Sequence, residues 1–206
     1  MIAIVDYGAG NLKSVRNALD YLGCQNTVAA SPREIAAADG VILPGVGEFG
    51  TAMGEMKKRG LTEVVKDAAA SGKPFLGICL GMQLLFDASE ESPGVRGLGV
   101  IPGQSLLFPA DSGLKIPHMG WNSIKIKAGA QLFGGLNGEP YMYFVHSYYV
   151  KAADRACVAA VTDYGVTFDA SVGRGSLFGC QFHPEKSGEA GLAVLRRFTE
   201  MAGGGR

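Results

Sequence analysis

The residues best suited to covalent chemistry are a cysteine set between two glycines and a His-Pro-Glu tripeptide. Cys79 stands in KPFLGICLGMQ, residues 73–83. Pro74 to Ile78 is a short apolar run behind a turn signal, which suits a buried strand. After Cys79 the apolar spacing changes to Leu80, Gln83, Leu84 and Phe86, a helical pattern. The stretch reads as strand, abrupt turn and helix, with Cys79 at the turn. Gly77 and Gly81 flank it two residues away on either side, where a nucleophile elbow has no room for Cβ atoms. A thiol there meets a helix N-terminus, whose partial positive charge favours the thiolate. Most free cysteines are inert core residues, and the elbow is what argues for a reactive one.

The chain has three histidines, His118, His146 and His183. His183 lies in Gln181-Phe182-His183-Pro184-Glu185, at the end of a strand-like run stopped by Pro184. On extended backbone, residues i and i+2 share a side, so Glu185 is placed to orient the imidazole. Cys79, His183 and Glu185 then make a nucleophile, base and orienter. The alternative for His183 is a surface residue beside a proline turn; His146 reads as a satisfied core histidine. Acyl transfer also needs oxyanion donors. The backbone N–H of Leu80 is one candidate, and Val46 and Gly47 in the Gly45-Val46-Gly47 stretch supply another, unless that stretch is only a tight turn.

The elements that must position these groups alternate. Strands are expected at Ile2 to Val5, Gln25 to Ala29, Gly40 to Leu43 and Pro74 to Ile78. Helices are expected at Leu12 to Leu22, from Ser31-Pro32, at about Thr51 to Lys58, and at Leu61 to Ala70. That order predicts an α/β fold, a parallel sheet with helices on both faces, and a site beyond the carboxyl ends of its strands. Asp6, Pro44 to Gly47 and Cys79 all fall there. Gly8 and Gly10 do not complete a dinucleotide fingerprint, because Lys13 stands where the third glycine belongs. After Ser92-Pro93-Gly94, short β-like runs follow at 105–108, 122–127, 141–150, 157–162, 166–172 and 177–182. They predict antiparallel or mixed sheet added to the parallel one. A helix from Ser187 to Met201 closes the chain, ahead of a frayed tail at 203–206.

With 206 residues and no linker or repeat, one domain spanning 1–206 is expected. Nineteen basic residues balance nineteen acidic ones, so no nucleic-acid footprint appears. No signal peptide or membrane-length apolar stretch is present, and the expectation is a cytoplasmic protein with no membrane partner. Cys24, Cys79, Cys157 and Cys180 form no C-x-x-C pair, which argues against a metal site or disulfide framework.

GICLGMQ, HPEKS and PGVG, in this chain, resemble the triad-type (class I) glutamine amidotransferases. DYGAGNLKSV, PGVGEF, PHMGWN and YFVHSYY resemble, within them, the glutaminase subunits of imidazole glycerol phosphate synthases. The likeness runs from Asp6 to the final helix. It implies a flavodoxin-like three-layer sandwich whose central, mostly parallel sheet carries added antiparallel strands. It also implies hydrolysis of L-glutamine to glutamate and ammonia through a Cys79 thioester, without a cofactor. By the same resemblance, Gln83, Glu91, Ser147 and Tyr148 would hold substrate. The plainer alternatives are a solvated helix position for Gln83 and a surface acid for Glu91. The implied partner is a (βα)8-barrel cyclase subunit, which uses the ammonia to form imidazole glycerol phosphate and AICAR in histidine biosynthesis. Asn11, Trp121, Tyr143 and Lys186 are the implied interface residues, with core packing an equal alternative for Trp121. Two other readings stay open: another class I glutaminase or cysteine hydrolase on the same fold, and a non-enzymatic binding module.

Overall fold

A computed structural model describes residues 1–109 and 113–203; the part of the expected tail at 204–206 lies outside the described residues. The first half alternates as its apolar spacing demands: β1 (Ile2–Val5), α1 (Leu12–Tyr21), β2 (Asn26–Ala29), α2 (Pro32–Ala37), β3 (Gly40–Gly45), α3 (Phe49–Lys58), α4 (Thr62–Ala70) and β4 (Phe75–Cys79). Ser31 opens α2 with a capping box to Glu34 and a proline in the first turn, the start signal its sequence carries. A single helical turn, α5 (Leu80–Gln83), follows Cys79.

The second half is mainly strand: β5 (Ala88–Ser89), β6 (Gly103–Leu107), β7 (His118–Ser123), β8 (Lys125–Ile126), β9 (Tyr141–His146), β10 (Tyr148–Ala152), β11 (Val158–Tyr164), β12 (Val166–Arg174) and β13 (Leu177–Cys180). Helix α6 (Gly188–Met201) ends the described fold. The run expected over 141–150 is two strands, because the chain breaks at Ser147 and each half joins a different sheet. The run expected over 122–127 likewise splits into β7 and β8.

The large sheet has the order β2-β1-β3-β4-β13-β12-β11-β8. Its first five strands are parallel and the last three join antiparallel. Alternate residues of each central strand enter different cores. Ala3, Val5, Val41, Leu43 and Phe75 pack with Phe49, Met56, Leu61 and Val65 of the α3–α4 side. Ile2, Ile4, Ile42, Leu76 and Ile78 pack with Val15 and Leu19 of α1 and Val194, Leu195 and Phe198 of α6. Strands buried on both faces this way need helices on both, and the result is three layers. β10, β6 and β5 form a small second sheet, and β7 pairs with β9 apart from both.

Candidate active site

Cys79 ends β4, between β3 and β13 in the sheet. Its register partner on β3 is Gly45, and Ile78 faces Cys180 on β13. The residue three past Cys180 is His183, so neighbouring parallel strands deliver cysteine and histidine to the same end of the sheet.

The elbow is forced by exclusion. A Cβ on Gly81 would sit 1.8 Å from the Leu43 carbonyl oxygen, and one on Gly77 would sit 2.7 Å from the Gly81 oxygen. A Cβ on Gly45 would meet the Tyr7 hydroxyl at 2.7 Å. Only glycine lets three backbone segments close this tightly. Cys79 itself takes φ 55°, and is the one non-glycine with positive φ among the described residues. Such a conformation costs about 1–3 kcal/mol and persists only where surroundings enforce it. The helical pattern expected through Phe86 is realised as one turn, ending at Gln83. So short a helix gives little macrodipole, and the thiol's surroundings depend on side chains more than the sequence suggested.

Pro184 to Lys186 is a 3-10 turn, so the pairing of His183 and Glu185 comes from a tight turn and not from strand alternation. His183 Nδ1 lies 2.8 Å from Glu185 Oε1, with both side chains almost wholly buried. The turn is held against β9. His183 N–H donates to the Tyr143 carbonyl at 2.9 Å. The Ser187 hydroxyl donates to the His183 carbonyl at 2.6 Å and accepts from Tyr143 N–H at 2.9 Å. His183 Nε2 is buried with no hydrogen-bond partner. Burial pulls the imidazole pKa down, but the neighbouring Cys79 and Glu185 outweigh it and push it up to about 10. Cys79 Sγ rests 3.9 Å from the Val145 carbonyl and 3.7 Å from Gln181 Nε2. The thiol and His183 Nε2 line one cavity with no hydrogen bond of ordinary geometry joining them, a looseness common before substrate binds.

Both groups line a cavity of ≈ 340 Å³ together with Val46, Gly47, Leu80, Gln83, Glu91, Ser147, Tyr148 and Lys186. Gly47 has φ +96° and open space where a side chain would be, so its glycine serves the backbone turn. Gln83 is buried, not solvated; its amide nitrogen donates to the Tyr148 carbonyl at 2.9 Å and to Gln181 Oε1 at 3.1 Å. Glu91 is no free surface acid either. Its carboxylate accepts from Phe49 N–H at 2.8 Å, and burial raises its pKa against that bond. Next to it Glu48 caps α3, and the Ser92 hydroxyl bonds Glu48 while accepting from Gly50 N–H at 2.9 Å. These bonds fasten the loop after β3 to residues 91–92. A separate cavity of ≈ 200 Å³ beside Cys157 and Phe178 is lined by none of these groups.

Of the four residues the resemblance placed at an interface, three form one patch. Trp121 is 56% exposed and meets Tyr143 edge-on at 6.0 Å, and Lys186 Nζ lies 5.9 Å over the Tyr143 ring. Asn11 instead caps α1, accepting from Ser14 N–H at 3.4 Å. Two residues in contact with the site escaped the sequence reading. Tyr7 is fully buried and donates to the Pro44 carbonyl at 3.0 Å, pinning the end of β3. Gln181 joins Gln83 to the thiol; its signal was the i, i+2 step back from His183, the same rule used for Glu185.

A model of the family "Glutamine amidotransferase class-I" matches residues 3–201. The chain is 50% identical over 200 residues to the imidazole glycerol phosphate synthase subunit HisH of Moorella thermoacetica, covering 97% of this chain and 94% of that protein. It is 50% identical over 198 residues to the subunit of the same name from Desulfitobacterium hafniense, covering 96% and 93%. Among solved structures, PurLQS from Thermotoga maritima superposes with a TM-score of 0.77 at 21% identity over 97% of each chain, a likeness of fold.

Proposed function

The chain belongs to the class I glutamine amidotransferases, and on that premise we propose that Cys79, His183 and Glu185 carry out its chemistry. Its function is that of the glutaminase subunit of an imidazole glycerol phosphate synthase, in histidine biosynthesis. We read residues 1–206 as one domain doing this work.

The observation that carries the assignment is His183: one ring nitrogen is tied to a buried carboxylate, while the other is buried, unpartnered and on the same cavity as the thiol. A buried ring nitrogen left without a partner costs about 1–3 kcal/mol if nothing ever uses it. In the reaction, Cys79 Sγ attacks the side-chain amide carbon of glutamine and His183 Nε2 takes the thiol proton. The C–N bond breaks as His183 returns that proton to the nitrogen, ammonia leaves, and a thioester remains. Water then attacks the thioester with His183 as base, giving glutamate and the free thiol. Leu80 N–H and a peptide N–H of the 45–47 loop receive the oxyanion. Gln83, Glu91, Ser147 and Tyr148 line the space left for the amino-acid end of the substrate.

Neutral ammonia, not ammonium, is the nucleophile a synthase needs, which favours release into a partner over release into water. The Trp121, Tyr143 and Lys186 patch borders the cavity through Lys186, and it is the docking face we assign to a (βα)8-barrel cyclase subunit. Asn11 is assigned to the edge of that face by family likeness alone. The setting is the cytoplasm; no helix of the described residues is long and apolar enough to cross a membrane.

Replacing Cys79 with alanine tests the assignment. Ammonia production from glutamine, measured with the cyclase subunit present, is expected to vanish while circular dichroism stays native. Substantial ammonia from that variant removes Cys79 from its role. The same assay without the cyclase tests the loop: a lower rate is expected, since Gly45 and Gly47 allow the peptide at Val46 to turn.

A further inference from the structure

The mechanism leaves two buried histidines unused. His118 and His146 are register partners across β7 and β9, only 3% and 6% exposed. His146 Nδ1 lies 2.8 Å from the Tyr148 carbonyl oxygen, which can only accept. That nitrogen therefore carries hydrogen, and in a neutral ring Nε2 is bare. His118 Nδ1, 3.1 Å from that Nε2, must then be the donor. The same reasoning leaves His118 Nε2 bare to accept from Asn122 Nδ2 at 3.4 Å, a nitrogen that also donates to the Asp163 carbonyl at 3.0 Å. The rings are neutral. Burial beside Phe108, Phe144 and Tyr164 pushes their pKa values down to about 4 for His118 and about 3 for His146.

The line continues past Tyr148. Its carbonyl takes a second hydrogen bond, from Gln83 Nε2, and the same amide nitrogen holds Gln181 Oε1. Gln181 Nε2 in turn donates toward Cys79 Sγ. The Tyr148 carbonyl thus has both lone pairs filled, one by the histidine pair and one by the glutamine pair.

We propose that His118 and His146 are positioning residues for the nucleophile: a directed hydrogen-bond line from Asn122 on β7 fixes the Tyr148 carbonyl and, through Gln83 and Gln181, the resting place of the Cys79 sulfur. Trp121, an exposed residue of the patch described above, is the chain neighbour of Asn122, so the line begins beside the face assigned to docking. The proposal rests on the glutaminase reading only for what the sulfur does once held.

Two measurements on the full chain test it. In protein labelled with ¹⁵N-histidine, both rings are expected as the neutral Nδ1–H tautomer at pH 7; an Nε2–H tautomer at His146 overturns the line. The second is the alkylation rate of Cys79 by iodoacetamide, followed by mass spectrometry to separate it from the other three cysteines. His118→Phe keeps a ring on Phe144 and Tyr164 but removes the donor. It is expected to slow alkylation about three- to tenfold, the effect of one lost hydrogen bond. His118→Asn offers an amide N–H at the place of Nδ1, and the rate is expected to return to within about twofold of wild type. Equal rates in Phe and wild type, or equal losses in Phe and Asn, overturn the proposal. If His118→Phe does not fold, Asn122→Ala decides by the same rate: slower alkylation supports the line and an unchanged rate overturns it. Expected tautomers and rates in a wild-type protein that releases no ammonia would instead overturn the glutaminase reading and leave the positioning intact.

Discussion

His183 and the His118–His146 pair are buried to a similar degree, yet their surroundings shift proton affinity in opposite directions. At the end of the parallel strands, His183 sits against a carboxylate and a thiol, and its pKa is raised to about 10 in spite of burial. Across the β7–β9 ladder, the other two meet aromatic rings and a carbonyl, and burial prevails, at about 4 and about 3. Depth alone decides neither outcome. What decides is whether the ring's second partner is an anion or a neutral dipole. The parallel end is thereby suited to take and return a proton, and the β7–β9 ladder is built to hold hydrogen-bond direction without titrating.

The largest way to break that contrast is to make His183 resemble the other two. Glu185→Gln keeps the shape of the side chain and removes its charge. Glutaminase kcat is expected to fall about a hundredfold or more, the scale of a lost general base. The His183 titration, followed by ¹⁵N NMR, should move down from the alkaline range, since one of the groups raising it is gone. A midpoint that stays put would mean the carboxylate does not set the proton affinity of the ring.

A middle-sized effect lies in stability against pH. His183 has a folded pKa above its unfolded value of about 6.5. Its contribution is therefore complete below pH 6.5 and is lost as pH climbs toward about 10. His118 and His146 have folded values below 6.5, so theirs is complete above pH 6.5 and is lost as pH falls toward about 4 and 3. Tm is expected to decline on both sides of a plateau near neutrality. Glu185→Gln should flatten the alkaline side alone, and His118→Phe the side between pH 6.5 and 4.5 alone. Glu48, held low by Ser92 and Thr51, acts below that window. Glu91 leans the opposite way, but equally in both variants, and drops out of the comparison. Identical profiles for the two variants would mean the arms do not belong to separate regions.

The same division marks what could be read from sequence. The parallel half was legible because its signals are local. An apolar run, two glycines and a Ser-Pro cap each fix their own few residues, and the order of strands and helices does the rest. Cys79 with its glycines, and His183 with Glu185, are pairings within a few residues, although a 3-10 turn and not strand alternation brings the second together. The β7–β9 region is opaque because its partners are remote. Nothing near His118 announces that it faces His146 across the ladder. Gln83 was read as a substrate group or a solvated helix position, and neither reading foresaw that Gln181, nearly a hundred residues on, holds its amide. The break at Ser147 was missed for a related reason, since 141–150 is evenly β-prone and only the competition of two sheets divides it.

The smallest expected effect separates the two regions by strain. Cys79 is the one described non-glycine residue at positive φ, and Gly45, Gly77 and Gly81 leave its backbone no other path. Cys79→Gly should relieve a cost of about 1–3 kcal/mol, against about 0.5–1 kcal/mol for the added freedom of glycine in the unfolded chain. The net gain, about 1 kcal/mol, corresponds to a rise in Tm of about 2–4 °C for a chain this long, in a variant with no glutaminase activity. Ser147→Gly is the matching change in the β7–β9 region, at the break between β9 and β10. No positive φ is relieved there, so only the entropic cost remains and Tm should fall slightly. Opposite signs at the two positions would locate the stored strain at the nucleophile, where it keeps the sulfur turned out of the strand and onto the cavity. A drop in Tm for Cys79→Gly would mean that the packing of the thiol against Val145 and Gln181 outweighs the backbone cost, and that the elbow is held by its contacts rather than against its own preference.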